Sequence, residues 1–145
     1  MIRELISHEF TERLLPLFRD LEQQAYGRAA WRPEHFFPAW QEMMRQRLAR
    51  TWELPEGAVL GAVFVPDIFR ATTTGLVVFW ASTPEGRRAG KALELFRAFE
   101  RAAQEEGCER ICAAAHKNMN ADRMRKLFKR RGFFEMETTF CKNLV

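Results

Sequence analysis

Two nearly uninterrupted apolar runs, residues 59–65 and 75–81, decide what kind of fold this chain can take. The first is rich in β-branched side chains. Each is followed by turn residues, Pro66-Asp67 after the first and Pro84-Glu85-Gly86 after the second. Short segments of this kind read as strands, and the lack of polar alternation means that both faces are covered. A sheet covered on two faces needs helices packed against it.

The rest of the sequence supplies them. Residues 9–26 place Phe10, Leu14, Leu17, Phe18 and Leu21 at helical spacing, and Gly27 stops the pattern. Arg32-Pro33 opens a second helix, because proline suits a first turn; its apolar side includes Phe36, Phe37, Trp40, Met43, Met44 and Leu48. After the Pro84-Glu85-Gly86 break, Ala92, Phe96, Phe99 and Ala103 form one stripe with Leu93 and Leu95 beside it, and Gly107 caps the helix. Residues 121–131 form a basic helix with Met124, Leu127 and Phe128 facing inward, ended by Gly132. Further strands are expected at 1–6, 51–54, 110–115, 133–136 and 138–144. The element order is that of a mixed α/β sheet with flanking helices, in which 75–115 makes a right-handed parallel crossover. The 145 residues suit a single domain, 1–145.

Composition removes several classes. Apolar residues make up 47% and charged ones 29%, which is the globular range. No apolar run approaches the roughly 18–20 residues that span a bilayer. The first ten residues carry acids and no apolar core, so no secretory leader is expected. Cys108, Cys112 and Cys141 are too few and too irregular for a disulfide framework or a zinc site. They indicate a reducing, cytoplasmic setting. The formal charge of +4 is concentrated in 117–131, where seven bases face one acid, Asp122. Such a patch suits an anionic ligand or a solvated helix face.

The segment that carries chemistry is Pro84-Glu85-Gly86-Arg87-Arg88-Ala89-Gly90-Lys91-Ala92. It joins a strand to a helix. A helix start leaves its first amides without intrahelical partners, and the aligned peptide dipoles add about half a positive charge there. Gly90 and the small Ala89 and Ala92 let an anion approach the backbone, while Arg87, Arg88 and Lys91 add full charges. The segment reads as a phosphate seat, the alternative being an ordinary strand-to-helix turn decorated with bases. It has neither the G-x-x-x-x-G-K-[ST] nor the G-x-G-x-x-G pattern.

The same nonapeptide resembles the GNAT acetyltransferase motif P-x-x-[RQ]-x-x-G-x-[GA]. Gly61 is similar to the glycine of that family's third strand. Leu127-Phe128-Lys129-Arg130-Arg131-Gly132-Phe133 is similar to its L-Y-x-x-x-G-F signature, and the closest flavour is that of the short phage and prophage members. The resemblance implies a mixed, mostly antiparallel sheet with a splayed parallel pair, the acyl-CoA N-acyltransferase fold. It implies acetyl-CoA, or another acyl-CoA, as cofactor. The backbone of Ala81, Ser82 and Thr83 would pair with the pantetheine, and the amides of Arg87, Arg88, Ala89, Gly90, Lys91 and Ala92 would hold the pyrophosphate. Lys126, Lys129 or Arg130 would reach the ribose 3′-phosphate. The acceptor is an amine on a small molecule or a protein, and a homodimer is among the expected assemblies. Neither a membrane nor a nucleic acid is an expected partner, since Phe64, Phe79 and Trp80 read as core.

The sequence departs from the family in two places. Phe128 stands where many members carry a tyrosine acid, and the strand 75–81 lacks the glutamate that many relatives have. A thiol of pKa about 8.5 leaves tolerably as thiolate, and acid–base help is worth about 10²–10⁴-fold. His116, just past the fifth strand, is the candidate base; Asp67, Glu135 and Glu137 are weaker ones. Asn118 and Asn120 are expected to cap the following helix. Three functions are weighed here: an active N-acetyltransferase; a GNAT-fold protein that binds acyl-CoA or a partner without turnover; and, least favoured for want of exposed-strand aromatic patterning, a basic nucleic-acid-binding module using 117–131. The N-terminal helices and their loop are expected to build the acceptor pocket; Trp31, Phe36, Phe37 and Trp40 cluster there as core first, and any that line a cleft would imply an acceptor with an apolar or aromatic part.

Overall fold

The computed structural model describes residues 1–19, 32–115, 120–140, 142 and 144. The chain divides into two units, Met1–Ala114 and Ala115–Val145.

The first unit is built on a five-stranded sheet in sequential order: β1 (Arg3–Glu4), β2 (Ala49–Leu54), β3 (Ala58–Asp67), β4 (Thr72–Ser82) and β5 (Cys108–Cys112). The first four strands are antiparallel, and β4 pairs with β5 in parallel. The helices of this unit are α1 (Pro33–Arg45), the five-residue α2 (Pro84–Arg88) and α3 (Ala92–Glu105). The two apolar runs are the middles of β3 and β4, as their composition requires.

Both faces of the sheet are covered. On one, the Phe79 ring sits among Trp40, Phe18, Phe36 and Phe10, with centroids 4.8, 5.1, 5.6 and 5.8 Å away. On the other, Phe99 and Phe96 of α3 meet Trp52, Phe64 and Trp80 at 5.3–6.4 Å. Trp40 buries its indole N–H by donating to the Thr51 hydroxyl at 2.8 Å, so the polar tip of a core tryptophan is satisfied.

The N-terminal segment departs from the periodicity. Among the described residues it forms two 3-10 turns, Ser7–Glu9 and Glu12–Phe18, in place of an α-helix. Pro16 lies inside the second; it has no amide to donate, and in an α-helix its ring would press on the carbonyl four residues back. Phe10, Leu14, Leu17 and Phe18 are nevertheless all buried. The remainder of the 9–26 segment lies outside the described residues.

Helix α1 starts with Pro33 in its first turn, as the sequence indicates, and ends on Arg47 at φ +59°. The amide of Arg47 donates to Met44 and that of Leu48 to Met43, so the turn satisfies two terminal carbonyls. A non-glycine residue in the left-handed region costs about 1 kcal/mol or more. Arg47→Gly should therefore raise the melting temperature by about 3–5 °C, as measured by thermal denaturation.

The second unit contains α4 (Ala121–Arg130). Its end explains the G-F pair physically. The Phe133 amide donates to the Phe128 carbonyl at 2.9 Å, the Gly132 amide to Lys129 at 3.2 Å, and Gly132 has φ +88°. The Phe128 and Phe133 rings meet at 5.3 Å. This is a Schellman stop with its hydrophobic contact. Asn120 is the N-cap residue, at φ +53°, but its side chain makes no cap bond. The closing strands expected at 133–136 and 138–144 do not form among the described residues, where 134–140 are exposed. Strand-forming side chains alone do not supply the neighbour whose backbone would complete a ladder.

Candidate functional site

The site is shaped by the way β4 loses its neighbour. Pairing with β5 runs from Thr73↔Cys108 to Leu76↔Cys112 and stops, while β4 continues to Ser82. Along 77–82 that edge of β4 has no strand beside it among the described residues. Two residues beyond the last pair, Val78 bulges: Gly61 pairs with Phe79 and Ala62 with Val77, leaving Val78 unmatched. A bulge bends its strand and turns it away from a neighbour. Gly61 makes room on the other side, since a Cβ there would lie 2.1 Å from the Phe79 ring.

Beyond Ser82 the chain enters a tight loop braced on the β2–β3 turn. The Thr83 amide donates to the Gly57 carbonyl at 2.9 Å. The Thr83 hydroxyl accepts from the Gly86 amide at 3.1 Å, capping α2, and donates to the same Gly57 carbonyl at 3.4 Å. Gly86 is buried, and a Cβ on it would stand 2.1 Å from the Gly57 oxygen. Lys91 reaches Glu56 on the same turn at 3.2 Å. The Glu56 carboxyl is held below the usual carboxylate range by its own backbone amide first and by Lys91 second. The sequence alone did not reveal this brace; the small residues Gly57 and Gly86 were its only trace.

Within the loop the amides divide into two sets. Those of Arg87, Ala89 and Gly90 donate to Thr83, Glu85 and Arg87. The amides of Lys91, Ala92 and Leu93, at the start of α3, have no partner among the described residues. Gly90 has φ +70°, and a Cβ placed there would meet nothing within 4 Å. Arg87, Arg88 and Lys91 are exposed. Arg87 donates to the Ser82 carbonyl at 3.1 Å, and Arg88 pairs with Glu85 at 3.4 Å.

Other candidates fall elsewhere. His116 and Asn118 lie outside the described residues, as do Trp31 and Cys141. Lys126 is exposed and Phe128 buried on α4 of the second unit. Phe37 and Trp40 are buried in the core, the first role expected of that aromatic cluster, while Phe36 is half-buried. The β4 strand carries no carboxylate or histidine. Burial pushes the Cys108 thiol up, away from thiolate character. Among the described residues no cluster of ligands could hold a metal, and no helix is long and apolar enough to cross a membrane.

Comparison with known proteins agrees with this geometry. The profile of the acetyltransferase (GNAT) family matches residues 2–133. The chain belongs to the GNAT family. Members of this family use acetyl-CoA. A predicted acetyltransferase from Clostridium acetobutylicum, solved with acetyl-CoA, superposes at TM-score 0.77 with 18% identity over 99% of this chain and 96% of its own. A ribosomal-protein-alanine N-acetyltransferase from Brucella melitensis biovar Abortus 2308 superposes at 0.68 with 16% identity over 99% of both chains. An aminoglycoside acetyltransferase from an uncultured soil metagenomic sample, in complex with sisomicin, superposes at 0.72 with 18% identity over 100% and 96%. No curated protein sequence matches the chain significantly. The GNAT fold is thus established, and with it the mostly antiparallel sheet with one parallel pair.

Proposed function

We propose that this GNAT protein is an acyl-CoA-dependent N-acyltransferase, most simply one that transfers acetyl from acetyl-CoA to a primary amine by direct attack. The observation that carries the reading is the unpaired edge of β4 leading into a helix start with three open amides beside Gly90. A diphosphate fits that helix start on chemical grounds. The free amides and the helix dipole favour an anion, the room at Gly90 admits it, and Arg88 and Lys91 supply charge. Along 77–81 the open edge of β4 would meet a pantetheine arm as an added strand, whereas the Ser82 carbonyl already accepts from Arg87.

When bound, acetyl-CoA supplies a thioester carbonyl open to attack. The protein must hold the acceptor amine neutral, because an alkyl amine of pKa about 10.4 is mostly protonated at pH 7. We assign that proton to His116. With Phe128 offering no hydroxyl, the sulfur departs as thiolate. Two of the three acetyltransferases named above act on a ribosomal-protein alanine and bind an aminoglycoside; both support an amine acceptor and neither selects one for this chain.

Acetyl-CoA should raise the melting temperature, by mass action on the folded state, and should release free thiol when a panel of amines is added. His116→Ala should lower the rate at neutral pH by about tenfold or more. An unchanged pH–rate profile removes His116 from the site. A second reading, acyl-CoA binding without turnover, is favoured by the absence of any carboxylate on β4. It predicts the thermal shift with no thiol release across the panel.

A further inference from the structure

Glu56 stands in an unusual position for an acid: on the turn that braces the loop, facing the base nearest the start of α3. Its Oε1 accepts from Lys91 at 3.2 Å, while its Oε2 is buried without a hydrogen-bond partner. Lys91 is also the N-cap residue of α3, and its own amide is one of the three left open. The ammonium that should face an anion is thus turned onto a carboxylate of the same protein. If Lys91 leaves, that carboxylate keeps only the bond from its own backbone amide while Oε2 stays buried and unpaired, and so poorly satisfied an acid is disfavoured. The brace from Thr83 and Gly86 to Gly57 keeps Glu56 within reach throughout.

We infer that Glu56 is a specificity-setting residue of the anion seat: it sequesters Lys91, so that only a ligand presenting adjacent phosphoryl groups, a diphosphate, displaces the carboxylate. A single phosphate or a carboxylate offers Lys91 little more than Glu56 already does. The inference rests on the phosphate-seat reading above, and deepens it by naming the residue that sets its selectivity.

The test is isothermal titration calorimetry of CoA, inorganic pyrophosphate and inorganic phosphate into the wild type, Glu56→Gln, Lys91→Ala and the double variant. Glu56→Gln should tighten CoA ~2–5-fold, the range of a partly exposed ion pair, and should narrow the preference for pyrophosphate over phosphate. In the Lys91→Ala background the Glu56 substitution should change neither quantity. A merely structural role would move the melting temperature without moving the anion preference. If wild type binds CoA and Glu56→Gln leaves the preference unchanged, or changes it equally without Lys91, the assignment of Glu56 is overturned while the seat stands. If wild type binds no CoA, the seat itself is wrong and Glu56 falls with it.

Discussion

Replacing Gly90 by glutamate is expected to abolish the acetyl-CoA-dependent rise in melting temperature while leaving the apoprotein folded. The argument has a steric half and an electrostatic half. Sterically the site is permissive, since a Cβ at Gly90 meets nothing within 4 Å. The penalty is the backbone at φ +70°, about 1–2 kcal/mol for an L residue, which lowers the melting temperature by several degrees. Electrostatically the new carboxylate stands beside the amides of Lys91, Ala92 and Leu93 and competes for the field that would hold an anion. Two like charges about 4 Å apart repel by about 4 kcal/mol at an effective dielectric of 20. Allowing for screening in this exposed loop, a loss of about 100-fold or more in affinity follows, about 2.7 kcal/mol. Gly90→Ala is the control: it carries the same backbone penalty without the charge and should retain binding within a few fold. Calorimetry with acetyl-CoA distinguishes the two. A Gly90→Glu variant that binds as well as wild type would remove the diphosphate from this loop.

How much of this was legible beforehand depends on whether a feature is local. The strands at 58–67 and 72–82, the helix started by Pro33 and the helix ended by Gly107 could be read because each is fixed by its own residues. The segment proposed as a phosphate seat could be singled out for the same reason: a strand, small residues, bases and a helix start are all adjacent in sequence. What could not be read were the long-range partners. Nothing near Thr83 announces that its amide and hydroxyl both turn to Gly57, 26 positions away. Nothing in the β4 run marks Val78 as a bulge, because a bulge is a property of register between two strands. The aromatic set Phe36, Phe37 and Trp40 was ambiguous from sequence, since core and cleft use the same side chains; burial against Phe10, Phe18 and Phe79 makes Phe37 and Trp40 core, while Phe36 stays half-buried. The 3-10 geometry of Glu12–Phe18 shows the opposite case, in which one residue, Pro16, overrides a pattern the burial still obeys.

Gly86→Ala should damage the protein through its fold rather than its charge. The added methyl would stand 2.1 Å from the Gly57 oxygen and 2.7 Å from its carbonyl carbon, both backbone atoms that no rotamer change can move. Gly57 has little room to retreat. Its amide donates to Leu54 at 2.9 Å, its carbonyl receives the Thr83 amide at 2.9 Å, and its φ of +114° closes the turn between β2 and β3. Relief therefore requires the loop and the turn to separate, which breaks the Thr83 contacts and the Lys91–Glu56 pair together. Overpacking of a closed backbone contact costs about 3 kcal/mol, or about 10 °C in melting temperature for a chain of this size. Denaturant titration measures the loss, and a Gly86→Ala midpoint equal to wild type would disprove the close approach. Binding should weaken as well, because the same contact fixes where Gly90 and the first amides of α3 lie relative to the end of β4. The two glycines four residues apart thus separate two demands on one loop: Gly86 lets the chain approach its own backbone, and Gly90 leaves space for a ligand to do so.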